Sequence, residues 1–272
     1  MTLSQDELVA SLEGIKNDGF AVPGGKRLDD LLENMIMQIG NPNGYLRDDL
    51  IYETLASWIS GNMLGIDRCN AILGTCISDD FIMYRIDTND EDAVYRRSFA
   101  MLAIASLLEL DERIRFIDGA TVKNVFARVC MSYGNEKNLE GYVAKKGWAH
   151  SVAHTADVFE LIVKRPEIGD GDIERLLSLI TMKFQNNHHY FVDNEDERTA
   201  RVIRSVIEHR ESCRQRVCGW IRALADYEKP EEIRPRQTMR GNVRNLLRSI
   251  YFCTDDARIR TIVEGSLQNS KW

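Results

Sequence analysis

No uncharged apolar run in the chain approaches the roughly 20 residues needed to span a bilayer. The start, Met-Thr-Leu-Ser-Gln-Asp-Glu-Leu, lacks the basic and apolar pattern of a signal peptide. No Cys-x-x-Cys pair occurs among Cys69, Cys76, Cys130, Cys213, Cys218 and Cys253, and several of them sit within apolar helical patterns. Reduced, mostly buried thiols in a cytoplasmic protein are therefore expected. Positive charge is not in excess either. The formal net charge is −7, which gives no global pull toward nucleic acid or an anionic membrane. There is no Gly-x-Ser-x-Gly and no phosphate loop, so two common routes to catalysis are missing. Convincing strands, clean repeats and linker-like segments are absent too, and a single domain over 1–272 is expected.

What is present reads as helix almost throughout. Leu8, Leu12 and Ile15 recur at helical spacing in 3–16, and Leu28, Leu31, Leu32, Met35, Ile36 and Ile39 do so in 28–39. Pro23-Gly24-Gly25 and Asn41-Pro42-Asn43-Gly44 punctuate them. Helical patterns continue over 46–63, 67–77, 93–110, 121–133, 148–164, 173–185, 217–227, 243–251 and 257–267, and a further helix follows the acids of 193–198. The helix at 93–110 is apolar nearly all round from Phe99 to Leu108, so it belongs at the centre. Asp87–Asp92 resembles a calcium loop only superficially; acids at the positive end of that helix explain it more simply. The expected fold class is all-α. About ten helices would form an α-α superhelix of antiparallel pairs, HEAT- or armadillo-like, with a concave surface.

One stretch, 141–164, gathers more chemically able side chains than any other. Gly147 is a break, Pro166 a stop, and the helix between them is expected from about Trp148 to Lys164. At about 100° per residue, Lys146, His150, His154 and Asp157 line one side. Trp148, Val152, Ala156, Phe159, Ile162 and Val163 line the other. Three uses fit the polar side. His150 and His154, at i and i+4, suit a shared divalent metal, with Asp157 holding His154 as an outer partner. Asp157 and His154 also suit acid–base work. Lys146 and protonated histidine suit an anion. Against these stands the plain reading that such pairs bond to neighbouring helices or face water. His188 and His189 read as exposed loop residues that could also approach this helix.

The segment 198–260 is locally basic, with 15 Lys or Arg against eight Asp or Glu. Arg236, Arg240, Arg244 and Arg248 recur every four residues and form one stripe if the stretch is helical throughout. Such a stripe could touch phosphates, although a solvated face is the commoner outcome. No nucleic-acid motif promotes it.

The runs Val94-Tyr95-Arg96-Arg97-Ser98-Phe99, Gly141-Tyr142-Val143 and Lys146–Asp157 resemble a bacterial family of helical proteins catalogued as domain of unknown function 2785. Asn194–Arg198 is similar too, and the resemblance runs from about Leu46 onward. It implies a right-handed HEAT-like superhelix in a bacterial cytosol, with no established activity. The expected role is a binding module that holds a partner protein or a small anionic ligand. Arg97, Tyr142, Lys146, Trp148, His150, His154, Asp157, Glu197 and Arg198 are its candidate contacts. The alternative is a metal-dependent or histidine acid–base enzyme centred on His150, His154 and Asp157. No catalytic residue is assigned, and nucleic acid and membrane are not expected as partners.

Overall fold

A computed structural model describes residues 3–269. Helix α1 (Gln5–Asn17) opens on a reciprocal cap. The Ser4 hydroxyl accepts from the Glu7 amide, and the Glu7 carboxylate accepts from the Ser4 amide. Helix α2 (Lys26–Met37) follows. A π-helical segment, Tyr45–Tyr52, then runs directly into α3 (Glu53–Ser60), and α4 is Ile66–Cys76. Helix α5 (Ala93–Ile114) is the central one that its composition implies, since 17 of its 22 residues are buried. Helix α6 (Gly119–Asn135) begins on Asp118, whose carboxylate accepts from the amides of Ala120 and Thr121.

A short antiparallel hairpin comes next, with β1 (Tyr142–Val143) paired to β2 (Gly147–Trp148). Then follow α7 (Ser151–Ile162), α8 (Asp170–Phe184), α9 (Glu195–His209), α10 (Arg214–Leu224), α11 (Ile233–Cys253) and α12 (Ala257–Asn269). The class is all-α, with twelve α-helices among the described residues where about ten are expected. From α5 onward the helices fall into two rows. Helices α5, α7, α9 and α11 pack in succession, and α6, α8, α10 and α12 pack in succession behind them. Among the described residues no helix is long and apolar enough to cross a membrane. All six cysteines are unpaired, and only Cys253 is more than marginally accessible.

Two boundaries differ from expectation for identifiable reasons. Helix α7 starts at Ser151, not near Trp148, because residues 142–148 pair with each other instead. Helix α11 starts ten residues before Val243. Pro235 lies in its first turn, where the missing amide has no partner to lose.

Candidate functional site

The hairpin and the start of α7 hold most of the residues singled out above, but not on one helix face. Lys145 and Gly147 take left-handed backbone conformations (φ 68° and 80°), which closes the turn. Two further backbone bonds, Ala149 to Gly141 and His150 to Glu140, extend the pairing past Trp148. His150 is itself left-handed (φ 49°) and caps α7 rather than lying within it. So Lys146 and Trp148 belong to the hairpin, while His154 and Asp157 are helical.

The hairpin lies on a buried arginine that the sequence reading missed. Arg47, fully buried in the π-helical segment, donates to the carbonyls of Asn41 (2.7 Å), Lys146 (2.6 Å) and Trp148 (3.4 Å). Its guanidinium packs over the rings of Tyr95 and Phe99 and pairs with Asp48 at 2.7 Å. The Trp148 amide donates to Asp48. Gly147 must lack a side chain here, since a Cβ would come within 2.5 Å of the Asp48 carboxylate. The sequence did hold one signal. Arg47 shares a helical phase with the apolar Ile51 and Trp58, so it had to face inward.

From this base a ladder of rings leads inward. Tyr142 meets Trp148 edge-on (5.2 Å), and Trp148 stacks on His150 (4.8 Å). His150 meets His154 (5.3 Å), and His154 meets Phe99 (5.5 Å). Tyr142 and Trp148 are exposed; both histidines are buried. His150 Nε2 donates to the Asp193 carbonyl at 2.6 Å, with Glu195 Oε1 at 3.6 Å. A 2.7 Å hydrogen bond joins His154 Nδ1 to the Ser98 hydroxyl. Burial pushes the His150 pKa down to about 4. Burial, and then the neighbouring His150, push that of His154 well below the usual range. The rings therefore sit neutral at neutral pH.

The other candidates have separate partners. Asp157 does not hold His154; it accepts from Arg198 and Arg201 of α9. Burial raises its pKa. Arg97 forms a buried two-pronged pair with Glu136 (2.7 and 2.8 Å), and Lys183 donates to the Glu136 carbonyl. Lys146 reaches Asp92 at 2.6 Å, so that acid is not bonded to the start of α5 as a side-chain cap. Glu197 faces a groove between α9 and α11, and Glu195 is the acid beside His150. Among the described residues no three His, Cys, Asp or Glu side chains are grouped so as to hold a metal ion.

A cleft of about 810 Å³ opens beside the hairpin. Its walls are the 86–92 segment, the first turns of α5, the 136–140 loop, Tyr142–Lys146, and His188 with His189. The two loop histidines thus approach the hairpin rather than α7. Arg97, Tyr142 and Lys146 contribute to the cleft; His150, His154 and Asp157 do not line it.

No curated protein and no solved structure matches the chain. A family model described as protein of unknown function (DUF2785) matches residues 82–252, a shorter stretch than the one from about Leu46. It takes in α5, the hairpin, the ring ladder and nearly all of α11, and it covers more than half of the chain, which therefore belongs to that family.

Proposed function

We propose that the protein is a binding module on a HEAT-like α-α stack, and that the cleft beside the hairpin takes a basic segment of a partner protein. The observation that carries this is the charge of the cleft wall. Asp90, Glu91, Asp92, Glu136 and Glu140 line it against Arg97, Lys137 and Lys146, so the wall is net negative. Arg97 and Lys146 are already paired with Glu136 and Asp92. Glu91 makes no ion pair among the described residues, and Glu140 has only His189, at 3.8 Å. Exposed Tyr142 at the edge offers an aromatic face to a lysine or arginine. This charge favours a cationic segment over a small anion in the cleft. His150 and His154 do not line the cleft, so the acid–base pair of the alternative reading lies behind the wall, and the histidines that line it are His188 and His189.

Peptides of equal length and basic, neutral or acidic composition test this by fluorescence polarisation, with wild type beside Glu140→Lys. Glu140 is exposed, so the variant keeps the fold. Basic peptides should bind wild type, weaken several-fold in the variant, and weaken with salt. Equal binding of acidic peptides, or no effect of the variant, rules the reading out.

A further inference from the structure

The arginine stripe of α11 has no part in the cleft. Because α11 is unbroken from Ile233 to Cys253, the four arginines do share one side, about 6 Å apart along the axis. Arg236 is tied to the carbonyls of Pro230 and Glu231. Arg240, Arg244 and Arg248 form no ion pair and no side-chain hydrogen bond among the described residues. Their neighbours behave differently. Arg198, Arg201 and Arg204 on α9, and Arg214 and Arg216 on α10, each reach a carboxylate. Like charges at i and i+4 destabilise a helix, so three in line without a counter-charge oppose folding.

Those three arginines line one cavity of about 500 Å³, and no carboxylate lines it with them. Its opposite wall is Tyr190, which is held from three sides. The Tyr190 ring lies against Gly241, where any side chain would overlap it. The Tyr190 hydroxyl accepts from Asn245 Nδ2 at 3.1 Å. Fully buried Asn242 accepts from the Phe191 amide (3.0 Å) and donates to the His189 carbonyl (2.8 Å), which fixes the loop that carries Tyr190. A glycine inside a helix is unfavourable relative to alanine. Here its position makes room for the wall of the cavity.

We propose that this cavity binds a small molecule bearing a diphosphate or two adjacent phosphoryl groups. Guanidinium groups match phosphate oxygens in two-pronged geometry and remain charged at any physiological pH. Three of them balance the charge that a diphosphate carries, and Thr238, which has a hydroxyl donor, lines the same groove. Tyr190 bounds this open groove on one side, and a net charge of −7 on the chain favours a small anion over a long polyanion, which the whole molecule repels. The site shares no residue with the cleft, and the inference stands or falls independently of it.

Titration calorimetry with inorganic pyrophosphate and inorganic phosphate, at constant ionic strength, tests the proposal on the full chain. Pyrophosphate should bind one per chain and more tightly than phosphate. Arg244→Gln should weaken it by roughly tenfold or more, with the circular dichroism spectrum unchanged. If that variant does not fold, Arg240→Gln carries the same expectation. No binding at millimolar pyrophosphate, or equal binding by the variant, overturns the proposal. So does tighter binding of a single-stranded oligonucleotide that falls steeply with salt, which would make the stripe a nucleic-acid surface.

Discussion

Removing the charge change at His150 should flatten the acid limb of the stability curve. The ring is buried against Trp148 and His154, donates to the Asp193 carbonyl, and faces Glu195 and Arg198. Burial lowers its folded pKa from the ordinary 6.5 to about 4. A histidine depressed in this way binds its proton more readily in the unfolded chain, so stability is lost as pH falls below the unfolded value. For this residue alone the loss is about 2 kcal/mol by pH 5 and about 3 kcal/mol by pH 4. His154 acts in the same direction. Asp48, Asp157 and Glu195 have raised pKa values, take up protons early in the folded state, and act in the opposite direction. The test is therefore a difference. Urea unfolding of wild type and His150→Asn is followed from pH 7.5 to pH 4.5; asparagine tolerates the left-handed backbone and does not titrate. The variant should be less stable near neutrality, and the gap should narrow by about 2.5 kcal/mol between pH 7.5 and pH 4.5. A gap that stays constant with pH refutes the assigned cause.

Two further substitutions probe the base of the hairpin. Arg47→Ala removes three carbonyl bonds and leaves Asp48 without its cation, so a loss of about 3–5 kcal/mol in urea unfolding is expected, and a loss below about 1 kcal/mol would contradict the role given to Arg47. Gly147→Ala places a Cβ at φ 80° against Asp48, so a loss of about 1–3 kcal/mol is expected, and a wild-type melting midpoint would contradict it.

Much of the helical framework is legible locally. The apolar spacing of Leu28–Ile39 and the all-round burial of α5 follow from residues close together in the chain. The 141–157 stretch is different. Trp148, Val152, Ala156 and Phe159 repeat at helical spacing, yet the first of them is in a strand. What decides the matter is Arg47 and Asp48, about 100 residues earlier, holding the hairpin by its backbone. No local pattern reports a contact at that separation. Helical phase puts Trp148 on the side opposite His150 and His154, yet its ring stacks on His150, because Trp148 lies in the hairpin and not in α7. The partners of the two histidines, Ser98, Asp193 and Glu195, were not readable, because they lie more than 40 residues away along the chain, on α5 and at the start of α9. Arg97 and Glu136 are 39 residues apart for the same reason.

The position of Arg47 separates two kinds of boundary. The family match begins at residue 82, but the guanidinium beneath the hairpin is supplied from residue 47, and that guanidinium donates to the Asn41 carbonyl. An excised 82–252 fragment would expose the Tyr95 and Phe99 faces that Arg47 covers and leave the Lys146 carbonyl without its donor. A truncation planned on the match alone cuts through the base of its best-defined feature.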